Sequence, residues 1–383
     1  MKALKLLALA AVVVVSLSSC EEGPVGIFAS IAGETDINAL MTKEFENASP
    51  AFVVKAGTTM YAGVGVLWSR PEGGRPWTRM DVSAVGSGTL FATSAAVVGT
   101  TLYATFTDTS TGADLGVWSW NGTSWNRVDA AFPAAGEEFR CVLGANDQVF
   151  AVTALHAASD DSLDTTHSLY YLNGAIFNTA GPADAAIGQP NSVAFDGTRY
   201  WFTAGPQVLT GTAASAIVVD ATAPAADFGG VAYAAVPGET VFGTRSGVMY
   251  TVSGTTWSAA STAQTDLGGD AYAFYQPVYV SAGTAAILMP TRSWYRSSTD
   301  PAPPGGYLEF AATGFDVATA TPNADRDLVS WPTNYAITLD KASIKSIVSL
   351  PEGTGTSLFA LTDGNGLWSN YHDGSVWTGW RRE

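Results

Sequence analysis

Few side chains in this chain are placed to do chemistry. There are three histidines, His156, His167 and His372, and none stands in a His-Glu-x-x-His or other paired-ligand spacing. Asp160, Asp161 and Asp164 share a loop, residues 157–167, with His167. Such an oxygen-rich loop could hold a divalent cation. The plainer reading is a solvated insertion between strands, and Asp108 and Asp114, which flank a second long loop, take that reading too. Glycoside hydrolysis needs two carboxylates set across a site. Acidic residues are plentiful, but their spacing along the chain does not show which of them meet. Arg199, Arg292 and Arg296 could gather to bind a carboxylate, although surface positions suit them as well. No Gly-x-Ser-x-Gly elbow, Walker loop or dinucleotide-binding glycine pattern occurs. No catalytic, cofactor-binding or metal-binding residue is therefore assigned, and the balance lies against an enzyme.

Aromatic rings are the remaining chemical resource. Twelve tryptophans are present, and ring faces of this kind can bind sugars and peptides. Most of them recur at a repeated position, which points to core packing. Trp294, Trp331 and Trp380 fall outside that register and are the candidates for ligand binding at a surface.

The first twenty residues bear on location. Lys2 and Lys5 precede an uncharged stretch from Leu6 to Ser19 rich in Ala, Val and Leu, which ends Leu17-Ser18-Ser19-Cys20. A charged start, a short apolar run and small residues before a cleavage point make an export signal. The run is too short for a membrane-spanning helix, which needs about 20 apolar residues. Its Leu-Ser-Ser-Cys ending resembles the bacterial lipobox. The resemblance implies cleavage between Ser19 and Cys20, acylation of Cys20, and attachment to a membrane of the bacterial cell envelope, inner or outer. Each buried CH₂ of an acyl chain contributes about 0.8 kcal/mol to attachment, so more than one chain is needed for a durable hold.

Charge narrows the partners. Without residues 1–19 the chain carries 16 basic against 34 acidic side chains, a net charge of −18. That argues against nucleic acid, whose phosphates need basic groups, and against electrostatic attraction to anionic lipid. With Cys20 acylated, Cys141 has no disulfide partner, so a large core must hold the domain. The alternation around Cys141 reads as a strand with a buried, unreactive thiol.

The elements that would position any site come from a repeat. An apolar strand reaches Asn, Asp or Ser followed by Gly, and an aromatic follows three residues after the Gly. The copies end at Trp125, Phe177, Trp257 and Trp377, with a looser one at Trp77. Asn-Gly and Asp-Gly predict type I′ turns, in which both central residues take positive φ. Before each hairpin runs another strand, such as Thr101 to Thr105, Gln148 to Val152 or Thr240 to Thr244, and a further one precedes several of these. Two weaker copies fit at Tyr200 to Val219 and Ile287 to Phe310. Seven units of about four strands at roughly 50-residue spacing resemble the blades of kelch, quinoprotein-like and sialidase-like β-propellers. His372 to Trp377 matches the sialidase Asp-box only in part.

The expectation is therefore all-β: a propeller of four-stranded blades, with seven blades, over residues 50–383. Residues 1–19 are the signal peptide, and residues 20–49 the lipidated N-terminus and linker. Within that linker Ile37, Leu40, Met41 and Phe45 keep a helical spacing. Residues 313–341 also depart from the period. The function expected is a membrane-anchored binding or scaffold module for a protein or glycan partner, with no cofactor. The alternatives are an envelope enzyme acting on glycans or peptides, and a surface coat without a specific ligand.

Overall fold

The computed structural model describes residues 45, 48–74, 76–133, 135–155, 166–182, 187–260, 273–292, 306–312, 321–322, 339 and 342–383. They belong to the unit Glu44–Glu383. Among them there is no α-helix, and none long and apolar enough to cross a membrane. The described residues form 29 strands in seven antiparallel sheets.

The first blade is β1 (Phe52–Ala56), β2 (Thr59–Val64), β3 (Val66–Pro71) and β4 (Thr78–Arg79). The second is β5 (Leu90–Val98), β6 (Thr101–Asp108), β7 (Asp114–Trp120) and β8 (Trp125–Arg127). The third is β9 (Glu137–Ala145), β10 (Gln148–Leu155), β11 (His167–Asn173) and β12 (Ile176–Thr179). The fourth is β13 (Ser192–Phe195), β14 (Tyr200–Ala204), β15 (Gln207–Gly211) and β16 (Val218–Val219). The fifth is β17 (Phe228–Ala234), β18 (Glu239–Thr244), β19 (Met249–Ser253) and β20 (Thr256–Ala259). In the sixth, β21 (Ala273–Phe274) and β22 (Val278–Val280) both pair with β23 (Ala286–Arg292), which continues to β24 (Tyr307–Ala311) and β25 (Thr321–Pro322). The seventh is β26 (Ile344–Glu352), β27 (Gly355–Thr362), β28 (Leu367–His372) and β29 (Arg381–Arg382).

The leading strands touch in the cyclic order β1, β5, β9, β13, β17, β22, β26 and back to β1, so the blades form a closed ring. This is a seven-bladed all-β propeller. The second strand of each blade has sheet partners on both sides and a neighbouring blade on each face. In most blades it is buried almost along its whole length, as in Tyr200–Ala204, and reads as an apolar run without alternation. Its aromatic or neighbouring residue fills the space between blades: Phe150, Phe202, Phe242 and Phe359 are all fully buried. Where the fifth and sixth blades approach most closely the ring needs glycine. A Cβ on Gly229 would lie 1.9 Å from the carbonyl oxygen of Phe274.

The recurring hairpin differs from expectation in its turn. Asn173 pairs with Ile176 and Ser253 with Thr256, so the central residues are Gly174-Ala175 and Gly254-Thr255. Only the glycines take positive φ, at 65° and 63°. That is the pattern of type II′, with Gly first, and the preceding Asn or Ser is the last residue of its strand. The two-residue turn with both positions positive is Asn146-Asp147, between β9 and β10.

The aromatics after the turns clasp neighbouring blades. Trp125 donates Nε1–H to the carbonyl of Asp81, in the connection leaving the first blade, at 3.2 Å. Trp257 donates to Asp220 Oδ2, in the connection leaving the fourth, at 3.1 Å. The amide of Phe177 donates to Asp129 Oδ2, after the second, at 3.0 Å. Each indole or phenyl also packs edge-on or tilted against its surroundings, as Trp125 does on Phe106 at 5.4 Å, adding about 0.5–1.5 kcal/mol beyond burial.

Candidate functional site

A cleft of about 470 Å³ opens between the second and third blades. Thr107 and Asp114, at the facing ends of β6 and β7, contribute with Gly112 and Ala113 of the loop between them. Opposite stand Pro133, from the connection between blades, and Glu137 to Arg140 at the start of β9. All lie at the end of the blades where leading strands begin and second strands end.

Two β-bulges aim side chains into it. The register of β5 against β6 skips Thr93, and that of β9 against β10 skips Arg140. Both residues line the cleft, and re-aiming a side chain is what a bulge does. The first bulge is held by the buried Thr105 hydroxyl, which accepts from the Ser94 amide at 3.0 Å. Ser94 Oγ in turn accepts from the Val142 amide at 2.8 Å, tying the two blades together.

The carboxylates sit in contrasting surroundings. Glu137 accepts the Tyr170 hydroxyl at 2.9 Å to both oxygens and the Thr153 hydroxyl at 3.0 Å. Loss of solvation and the neighbouring Glu137 push the Tyr170 phenol up to about 12. Asp114 is exposed as a residue, yet loss of solvation within the cleft pushes its carboxyl up to about 6. Amides of Gly116 and Leu115 and the charge of Arg127 oppose that rise, while the charge of Glu138 adds to it. Glu138 pairs with Arg140 at 3.5 Å. The cleft thus combines a fixed carboxylate, a second one that is readily protonated, an ion pair and an apolar wall of Phe139 and Pro133.

Of the residues singled out in sequence that the structure describes, Asp114 lines the cleft. Trp380 is 2% exposed, packs on Tyr307 and donates Nε1–H to its hydroxyl at 3.0 Å. Its position is corrected from surface to core: it clasps the seventh blade to the sixth. Trp294 and Trp331 lie outside the described residues, as do His156, Asp160, Asp161, Asp164 and Arg296. His167 is buried, with Nδ1 3.3 Å from the carbonyl of Ile187. His372 is buried against Trp377 at 4.8 Å. Asp108 caps its own loop, accepting from the amide and hydroxyl of Ser110 at 2.9 and 2.6 Å. In the partial Asp-box, Asp373 Oδ1 accepts from the amides of Ser375 and Val376 and from the Ser375 hydroxyl. Those bonds hold its carboxyl down at about 2, and they make the motif a turn lock. Among the described residues no three metal-ligating side chains converge. The Cys141 thiol lies 3.9 Å from the Pro190 carbonyl, and burial pushes it up to about 12.

Glu137, Glu138 and the two bulged residues were missed in sequence. The Glu137-Glu138 doublet at a strand start was the available signal, but its meeting with Asp114 depends on the next blade.

No protein-family model matches the chain, and no curated protein matches it. Among solved structures it is similar to YCF48 bound to D1 peptide, with a TM-score of 0.55 and 12% identity over 85% of this chain and 92% of that one. It is also similar to the computationally designed Ika8 protein, at a TM-score of 0.49 and 10% identity over 83% of each chain. A third likeness is to KlHsv2 with loop 6CD replaced by a Gly-Ser linker, at 0.49 and 9% over 88% and 99%. At such identities the likeness is one of fold. The class that fold defines is the seven-bladed β-propeller.

Proposed function

We propose that this protein is a cell-envelope lipoprotein, anchored through acylated Cys20, whose propeller binds a protein partner. The observation that carries the binding half is the ring with a polar cleft between two blades at one end. A structure of the same fold, YCF48, is bound to a peptide. The anchoring half rests on Lys2, Lys5, the apolar run and Leu17-Ser18-Ser19-Cys20. A net-negative surface and a cleft with three carboxylates favour a partner segment that carries basic side chains, through complementary charge.

Two measurements test this. Mass spectrometry of the N-terminal peptide should find Cys20 acylated with residues 1–19 gone, and Cys20→Ser should release the protein from membranes. An unmodified thiol with the leader attached overturns the anchor. Crosslinking in envelope membranes should recover one partner with the native chain and lose it with Glu137→Gln/Glu138→Gln. Equal recovery with both chains overturns the cleft as binding surface.

One observation favours a second reading, an envelope enzyme acting on glycans or peptides. Asp114, whose carboxyl is pushed up to about 6 by loss of solvation, shares the cleft with Glu137, and hydrolysis of glycosidic bonds uses a protonated acid beside a second carboxylate. Hydrolysis of a cell-wall glycan or peptide panel, abolished by Asp114→Asn, would establish it.

A further inference from the structure

Six of the seven junctions between neighbouring blades are bridged by the continuous chain. The seventh, between the first and last blades, is not. Each of those blades builds its sheet from consecutive strands, and among the described residues no strand of one pairs with a strand of the other. Closure there is left to side chains and to the short segment that precedes β1.

Both are built for the task. Phe45 is 1% exposed and lies 5.3 Å from Trp68 and 5.8 Å from Trp77 of the first blade. It shares a core with Phe359, Leu361 and Leu367 of the last. Three residues on, the Ala48 carbonyl accepts from the Gly366 amide at 3.0 Å, and the Ser49 hydroxyl donates to Asp363 at 3.3 Å. Phe45, Ala48 and Ser49 therefore lie across the junction as the points of a strap.

Beneath it runs a buried polar network. The Arg70 guanidinium, 3% exposed, donates to Glu352 Oε1 at 3.2 Å and to the Gly74 carbonyl at 2.7 Å. It stacks over Trp77 and Phe359 at 5.2 and 5.5 Å, and its Nε lies 4.0 Å from Glu383 Oε2. Glu383 accepts the Trp77 indole at 2.8 Å and the Ser369 hydroxyl. Glu352 accepts the Gly73 amide at 2.9 Å and the Ser357 hydroxyl. Buried charges of this kind are costly to separate, because each would be left without its partner. They also demand one geometry, and so define one register of closure.

We infer that strap and network together form the latch of the ring, and that the junction of first and seventh blades is where it opens. Local opening is set by the least secured cooperative unit. Here that unit has no covalent bridge. The strap is also the route from Cys20 into the ring, so the residues that close the propeller would carry the pull of a tether.

Amide hydrogen exchange on the full chain tests the inference without reference to the anchor or the cleft. Phe45→Ala should speed exchange in β1 and in β26 to β28 by about tenfold or more, with β10 to β15 changed less than about twofold. Glu383→Gln keeps the side-chain volume and should give the same pattern, so it carries the test should Phe45→Ala not fold. A disulfide from Ser49→Cys/Asp363→Cys should restore protection in the Phe45→Ala chain. Cys141 is half-buried, and its thiol, pushed up to about 12, is a poor competitor for it. An even rise around the ring, a first opening at another junction, or no rescue by the crosslink would overturn the latch.

Discussion

Trp77 and Glu383 stand 306 positions apart and are joined by a 2.8 Å hydrogen bond in the interior. The indole belongs to the connection between β3 and β4, and the carboxylate follows β29. This bond repeats at the ring's closure what Trp125, Trp257 and Trp380 do at three other junctions. In each case the aromatic that covers one blade donates its N–H to a neighbouring one. A single device thus serves continuous and discontinuous junctions alike.

The clasp can be weighed by truncation. Trp125→Ala should cost about 3–5 kcal/mol, the usual range for deleting a buried large aromatic. Trp125→Phe keeps most of the packing and loses the bond to Asp81, so it should cost about 1 kcal/mol. Denaturant melts of both variants check the split. Equal losses would mean that the hydrogen bond, not the ring, carries the clasp.

Tyr170 holds Glu137 in place within the cleft. Tyr170→Phe should cost about 1.5–3 kcal/mol, as for hydrogen bonds to a charged group. The raised phenol also makes a pH prediction. The folded chain favours the neutral phenol, so its contribution is complete below pH 10 and is lost as the pH rises from 10 toward 12. Ultraviolet difference spectra of wild type and variant should isolate one tyrosine titrating near the upper value.

Asp114 works in the opposite sense for a folded chain at neutral pH. Its folded value of about 6 lies above the ordinary 3.8, so the fold binds the proton more tightly than the unfolded chain. That contribution is present below pH 4 and disappears as the pH rises to 6. Asp114→Asn should therefore stabilise the protein above pH 6 and change little below pH 4. Solvent screening of an exposed group limits the gain to about 1 kcal/mol. Thermal melts across pH 4–8 read it directly. A gain that is independent of pH would show that the carboxyl is not responsible.

Cys141 should resist alkylation. With its thiol near 12, only roughly one molecule in ten thousand carries a thiolate at pH 8. Iodoacetamide should label it in urea and leave it untouched in the native chain, as followed by intact mass. Rapid native labelling would place the thiol at the surface.

Much of this was legible along the chain because it is local. In the repeat a Gly after Asn, Asp or Ser bends a hairpin, and an aromatic three residues later marks the next strand. Seven such units, including the weak copies now seen as β14 to β16 and β23 to β24, predicted a propeller. In the hairpins at Gly174 and Gly254 the two-residue turn lies one position later than expected, and before Trp125 and Trp377 the connection is four residues long. Other features depend on curvature and closure, which no short window contains. The bulges at Thr93 and Arg140 leave no mark in composition. Trp380 is out of register with the repeat, yet the ring seats it on Tyr307. Phe45 has the helical spacing of its neighbours, yet it fills the last gap between blades. Turns and strands follow from adjacent residues; what faces across a junction follows from the ring, because only its closure brings residues hundreds of positions apart within reach of a hydrogen bond.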